Sequence, residues 1–231
     1  MKLFSRSVWA SCLFVLLMGY GFVINSAYAA HENGNFMINN KISVQQHQSL
    51  YDQYPWAATY YYGVSFTDPL FRILAGDTHR WSEHIQSLEL ARTLGEENMI
   101  RRFFNPIVGV VQIAGNLTVR QGVRQPTIYE FDPYIAFRWA NLPWNHYVNT
   151  SLALGEGISY ATSVPSLEKK DNDNTKRLLN YLMMEATFAL PSNPRLQLIA
   201  RVHHRSGAFG LYHAGNTGSN DVGLGIRYLF D

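Results

Sequence analysis

Apolar and polar side chains alternate along most of the chain. The clearest run spans 219 to 230, where Val222, Leu224, Ile226, Tyr228 and Phe230 share one parity and Gly223, Gly225 and Arg227 share the other. Successive side chains of an extended strand point to opposite faces, so this run has one apolar face and one small or wet face. From 195 to 206, Leu196, Leu198, Ala200 and Val202 oppose Gln197, Arg201, His203 and Arg205. From 128 to 140, Tyr129, Phe131, Ile135, Phe137 and Trp139 oppose Glu130, Asp132, Tyr134 and Arg138. Segments of similar character cover about 57 to 67, 83 to 94, 106 to 119, 146 to 161 and 177 to 190, which brings the number to eight. Turn-forming clusters separate them: Thr67-Asp68-Pro69, Gly95-Glu96-Glu97-Asn98, Asn141-Leu142-Pro143 and Pro191-Ser192-Asn193-Pro194.

The N-terminus follows a different pattern. Lys2 and Arg6 precede an uncharged apolar run from Val8 to Ile24, and Ala27-Tyr28-Ala29 supplies a small-x-small cleavage site. Residues 1–29 therefore predict a cleaved signal peptide. An uncleaved anchor is the competing reading, because the apolar run is near the lower limit of about 17 residues for a spanning helix. The Ala-x-Ala site favours cleavage. Residues 30–55 are polar and without a sustained period, and predict a flexible lead-in to a domain over 56–231. The one cysteine, Cys12, falls within the signal, so the mature chain has no thiol for a disulfide, a nucleophile or a metal ligand. Beyond the signal no stretch approaches the roughly 18 consecutive apolar residues of a membrane helix.

Alternation alone fits a soluble sandwich as well as a membrane barrel. The export signal, the even number of segments and their length near the ~10 residues of a tilted spanning strand favour the barrel. Composition points the same way. Only 16% of residues are charged while 14% are aromatic, against about 25% charged in ordinary soluble domains. Trp56, Tyr60 to Tyr62, Trp139, Trp144, Tyr228 and Phe230 lie near segment ends, where interfacial girdles place aromatics. The expected fold is all-β, an eight-stranded antiparallel transmembrane β-barrel of the bacterial outer membrane. The barrel assembly machinery is an expected partner, although the chain ends in Phe230-Asp231 and so displaces the terminal aromatic signal by one position. A homodimer is left open. With 19 basic against 17 acidic residues there is no global field to recruit nucleic acid.

Glu130, Asp132, Arg138, Glu185, Arg201, His203 and Arg227 share the inward parity and predict a paired polar core, since a barrel this narrow is filled by side chains. His203 reads as a satisfied interior histidine, and no metal or cofactor is expected. Glu156, between Gly155 and Gly157, falls by parity on the lipid face; a glycine bulge that re-aims it inward is preferred over a functional role. The charged stretch 165–176 reads as a solvated loop. Asp171 and Asp173 within it lack the glycine and terminal Glu of a dedicated calcium loop.

Reactive chemistry concentrates in Arg201-Val202-His203-His204-Arg205-Ser206-Gly207. His204 and Ser206 share the apolar parity of Ala200 and Val202, where a polar pair is disfavoured unless it lies at headgroup level or performs a function. An imidazole beside a serine hydroxyl can accept its proton and create a nucleophile for an ester carbonyl. The outward face of the next segment begins at Asn220, which becomes the third member, while Asp221 points inward. Main-chain N–H groups of Gly207 or Ala208 are the expected oxyanion donors. The alternative is a non-catalytic barrel whose pair merely caps the hydrophobic band. His47-Gln48-Ser49 repeats the His-x-Ser spacing in the lead-in and reads as surface decoration.

The run His204-Arg205-Ser206-Gly207-Ala208-Phe209-Gly210-Leu211, followed by Gly218-Ser219-Asn220 and a last strand, resembles the C-terminal signature of the PagL-type outer-membrane lipid A 3-O-deacylases. The motif covers only the last 35 or so residues. The resemblance implies an eight-stranded barrel with a His-x-Ser pair on its outer wall that removes an acyl chain from lipid A of lipopolysaccharide. A Glu completes the triad in that family, and its position corresponds to Asn220 here; Phe209 is a one-residue insertion. An amide orients an imidazole but stabilises the imidazolium less than a carboxylate does. Outer-membrane phospholipase A, a larger barrel, uses a Ser-His-Asn arrangement, which keeps a phospholipid substrate in view.

Overall fold

The computed structural model describes residues 49–231 except 77, 124, 172 and 216, together with every side chain in that range but those of 171 and 209. The signal peptide, residues 30–48 of the lead-in and His47 lie outside the described residues. Eight strands close into a single antiparallel barrel in sequential order. They are β1 (Trp56–Phe66), β2 (Arg80–Thr93), β3 (Val110–Gly122), β4 (Ile128–Trp139), β5 (Asn149–Ala161), β6 (Leu178–Ala189), β7 (Leu196–Ser206) and β8 (Gly218–Phe230). Among the described residues four short α-helices lie between or before them: α1 (Leu50–Gln53), α2 (Leu70–Leu74), α3 (Met99–Phe104) and α4 (Ser166–Asp171). Closure comes from β1 against β8, in register from Trp56↔Phe230 to Phe66↔Asn220. Glycine permits the close approach there: a Cβ on Gly225 would meet Tyr60 O at 2.2 Å.

The polarity of the barrel is inverted relative to a soluble protein. Leu88, Leu117 and Leu224 on the wall are 63%, 66% and 64% exposed, whereas the largest fully buried side chains are led by Arg120, Arg138, Arg201, Arg205 and Arg227. An apolar wall around a charged centre is stable only when lipid is the solvent, and closure leaves no strand edge for lipid to strand without hydrogen bonds.

The interior charges sort into two groups. Midway along the barrel, Glu89 and Glu185 hold Arg138, Arg201 and Arg227, with Arg138–Glu185 at 2.7 Å and Arg227–Glu89 at 3.0 Å. Toward the end that carries α2 and α4, Arg120 reaches Glu130 at 2.6 Å, Asp221 at 2.7 Å and Glu83 at 3.3 Å. Arg205 reaches Glu168 at 2.8 Å. Asp132 and His203 complete this second group.

Four expectations change. The end of the lead-in is ordered: Ser49 caps α1, its hydroxyl accepting from Asp52 N, and Tyr51 enters the barrel mouth to meet Ser151 at 2.9 Å. The 165–176 stretch is not simply solvated, because α4 turns Leu167 and Glu168 into the barrel, where Arg205 and Ser219 bind the carboxylate. No bulge redirects Glu156. Its register against Ile135 and Leu182 is regular and the side chain is exposed on the outer wall. The predicted start of β3 also moves from 106 to Val110, because Ile107 and Val108 belong to the turn after α3, both their N–H groups donating to Phe104 O.

Two outcomes test this architecture. Leu224→Arg is expected to destabilise the folded barrel in lipid vesicles by about 2–4 kcal/mol, read from urea titration of tryptophan fluorescence, since the residue sits on the apolar outer face at the middle of β8. The second concerns Asp52, which binds Arg101 at 2.9 Å. Burial pushes its carboxyl upward, but the bonds from Arg101 and Ser49 more than reverse this and hold it below the usual carboxylate range. Because the folded pKa is depressed, this contribution to docking of α1 is complete above about pH 4 and is lost as pH falls further. Acid-dependent hydrogen exchange at Tyr51 is expected in the native chain, and no such dependence in Arg101→Met.

Candidate active site

His204 and Ser206 occupy the last two outward positions of β7, and β8 brings Asn220 directly opposite His204. All three sequence-predicted residues therefore lie on the outer wall at one end of the barrel, where His204 and Asn220 are in contact and, among the described residues, no hydrogen bond joins Ser206 to His204. None is bare to lipid. The 66–71 segment and the 207–217 loop fold over the strand ends, leaving His204 and Ser206 half-buried and Asn220 8% exposed. Together they line a cleft of about 520 Å³, with Leu70 and Phe71 on one side and Gly207, Ala208 and Thr217 on the other.

The hydrogen bonds of Asn220 fix the chemistry of His204. The amide Nδ2 donates to the main-chain oxygen of Asp68 at 2.9 Å, an atom that can only accept. Oδ1 is thereby turned toward His204 Nδ1, 2.6 Å away. An oxygen in that place requires the proton on Nδ1, so Nε2 carries the free lone pair and is the ring's basic atom. The same geometry favours an amide over a carboxylate at position 220. A carboxylate would set oxygen against the Asp68 carbonyl. Asp68 is itself held, its carboxylate accepting from the main-chain N–H of His79 and from His79 Nδ1 at 3.1 Å. Those bonds keep its carboxyl below the ordinary range, with the main-chain bond contributing most. Asp68 is thus a residue the sequence reading did not single out; it lay within what read as a turn, and its partners His79 and Asn220 are 11 and 152 positions away.

The inward neighbours brace the strand. Arg205, between His204 and Ser206, binds Glu168, and Thr217 Oγ1 donates to Glu168 O at 3.2 Å. The interior network and α4 therefore set where the end of β7 and the following loop sit.

After Ser206 the backbone turns sharply. A Cβ on Gly207 would meet Gly215 O at 2.4 Å, which explains the glycine. Its N–H donates to Thr217 O at 2.9 Å and is thereby removed from the two expected oxyanion donors. Ala208 remains. Gly207 has φ −70°, ψ 2° and Ala208 has φ 44°, a right-handed residue followed by a left-handed one, the backbone sequence that gathers N–H groups around an anion. A left-handed alanine costs about 1–2 kcal/mol, so the surrounding loop enforces this conformation. Phe209 lies within a 3₁₀ turn over Ala208–Gly210.

A second polar feature extends along the wall. Asn180 on β6 lies opposite Ser206, and Glu156 on β5 hydrogen-bonds with it. Asn180 was missed in the sequence, although its parity with Leu178, Leu182 and Met184 marks it as a polar residue on the lipid face. Ser49, from the other His-x-Ser, serves as a helix cap.

No family profile matches the chain, and no curated protein matches it. Among solved structures, the chain is similar to the outer membrane enzyme PagL at 12% identity and a TM-score of 0.45, over 74% of this chain and 98% of that one. It is similar to Neisserial surface protein A at 9% and 0.44, over 76% and 96% of the two chains. Ail, the attachment invasion locus protein of Yersinia pestis, follows at 10% and 0.36, over 77% and 99%. Likenesses of this degree concern the barrel and assign no activity.

Asn220→Asp offers the imidazole a stronger partner yet places carboxylate oxygen against the Asp68 carbonyl. It is expected to lower stability by about 1–3 kcal/mol, measured as a shift of the urea midpoint at neutral pH, because an acceptor then faces an acceptor.

Proposed function

We propose that the protein is an outer-membrane ester hydrolase that removes an acyl chain from lipid A of lipopolysaccharide, at the 3-O position by the resemblance of its C-terminal motif. The observation that carries the reading is the Asp68–Asn220–His204 relay, which leaves Nε2 as a base in the cleft that also holds Ser206. A membrane lipid reaches the cleft laterally, so its ester need not leave the bilayer.

In the proposed reaction Ser206 Oγ attacks the ester carbonyl as its proton passes to His204 Nε2. The tetrahedral oxyanion forms near Ala208 N–H. Collapse breaks the bond to the sugar oxygen, which takes the proton from Nε2. A water molecule, deprotonated by the same nitrogen, then releases the fatty acid from Ser206. Asn220 holds the imidazole in the required tautomer throughout. Asn180 and Glu156 offer hydrogen bonds to polar groups beside the ester.

Asn220 also supports a second substrate, a glycerophospholipid, since a Ser-His-Asn arrangement serves phospholipid hydrolysis in a larger outer-membrane barrel. The experiment compares cells carrying the native protein with cells carrying Ser206→Ala at matched outer-membrane levels. Mass spectrometry of lipid A is expected to show loss of one hydroxyacyl mass with the native chain alone, and deacylation by Ser206→Ala to fall at least about 10³-fold. Fatty acid released from phospholipid vesicles with unchanged lipid A would select the second substrate. Unchanged lipids in both assays would leave a non-catalytic barrel.

A further inference from the structure

The barrel interior leaves one place unsatisfied. Among the described residues, four buried side-chain atoms lack a hydrogen-bond partner: Asn116 Oδ1, Gln125 Nε2, Glu130 Oε2 and His203 Nε2. Gln125 belongs to the loop between β3 and β4. The other three belong together. Glu130, Asp132 and His203 each present one metal-ligating type of atom, all within 4.8 Å of one another. Asn116 stands opposite Asp132 in the β3–β4 register. Each of the four residues is at most 2% exposed.

The imidazole is poised as a ligand. His203 Nε2 lies 3.3 Å from Glu130 Oε2 and 4.0 Å from Asp132 Oδ2 without a hydrogen bond to either. Its Nδ1 is 2.6 Å from Tyr61 Oη. In the tautomer that donates Nδ1–H to Tyr61, Nε2 faces the two carboxylate oxygens as a lone-pair donor, the arrangement a metal ion would complete. The remaining oxygens are already held, Glu130 Oε1 by Arg120 at 2.6 Å and Asp132 Oδ1 by Ser159. Such outer contacts are how proteins orient metal ligands.

Charge leads to the same place. The two interior groups together contain seven carboxylates and five arginines, all at most 4% exposed, which leaves two negative charges when His203 is neutral. Uncompensated charge in a low-dielectric interior is strongly unfavourable. The excess lies in the group around Arg120 and Arg205, where the two arginines face five carboxylates. A divalent cation balances the two negative charges.

We infer that Glu130, Asp132 and His203 bind one divalent first-row transition ion, zinc being the best match to one imidazole nitrogen and two carboxylate oxygens. Bonds of about 2.0–2.2 Å place two ligand atoms of a tetrahedral ion roughly 3.4 Å apart. The two distances from His203 bracket that value, and closing the widest pair asks for a shift of about an ångström from flexible carboxylates. The fourth position falls to Asn116 Oδ1 or a water. Because the site is sealed inside the barrel, the ion enters before closure and exchanges slowly afterwards. Its place in the interior is separate from the outer-wall cleft, so it acts on folding and not on ester chemistry.

The test uses tag-free protein refolded into detergent with zinc sulfate, desalted against EDTA and assayed for metal by plasma mass spectrometry. Cobalt(II) refolding with visible spectroscopy reports the ligand geometry. About one ion per folded chain is expected, retained against EDTA and released on unfolding, with the absorption bands of a tetrahedral N/O site. Both signals are expected to vanish in Glu130→Gln/His203→Gln and to persist in His204→Gln. Folded native protein without metal overturns the inference, as does metal retained equally by the double variant. Should that variant not fold, the native cobalt spectrum decides, and absence of tetrahedral bands counts against the site.

Discussion

A strand that crosses lipid must satisfy every main-chain group with another strand and hide every charge on its inner side. The rest of this structure follows from that constraint. Closure of β8 on β1 removes the last free edge, and the period of two sends Arg120, Arg138, Arg201, Arg205 and Arg227 inward on strands whose outer faces are apolar. Guanidinium groups suit this core because one planar fork serves two or three carboxylates, as Arg120 does with Glu83, Glu130 and Asp221. The ion network is therefore part of the wall's architecture and braces it from within.

The candidate site lies where that constraint relaxes. At the loop end of β7 the outer wall passes beneath the 66–71 segment and the 207–217 loop, and there His204, Ser206 and Asn220 are sheltered from hydrocarbon. The same strand serves both sides: Arg205 is tied inward to Glu168 while its neighbours face the cleft. Rigidity inside thus becomes precision outside. Asn220 shows how the loops complete the arrangement, since its amide is oriented by a main-chain oxygen from a different hairpin.

Several features were legible because they obey the strand period. All eight strands were placed to within a few residues, and the inward charges and the outward His204, Ser206 and Asn220 were assigned correctly to their faces. Failures came where period is silent. Glu156 was correctly placed on the lipid face by parity, and the supposed bulge was a remedy for a carboxylate that instead meets Asn180 across the wall. Glu168 looked solvated because its partners Arg205 and Ser219 are 37 and 51 positions distant. Tyr51 sat in a polar stretch with no pattern to announce a plug. Gly207 was offered as an oxyanion donor before its N–H was found bonded to Thr217.

The amino-acid sequence by itself determined the number of strands, the face on which each side chain lies and the pairing of a histidine with a serine on the outer side, because all three depend only on alternation and on spacing within one strand. The tertiary structure decided which distant groups meet. The tautomer of His204 depends on Asp68, the engagement of the Gly207 N–H depends on Thr217, and the convergence of Glu130, Asp132 and His203 depends on the closure of β4 and β7 around one axis. Each is a contact across tens of residues or more, made by register and barrel closure, and no local pattern of hydrophobic and polar positions encodes it.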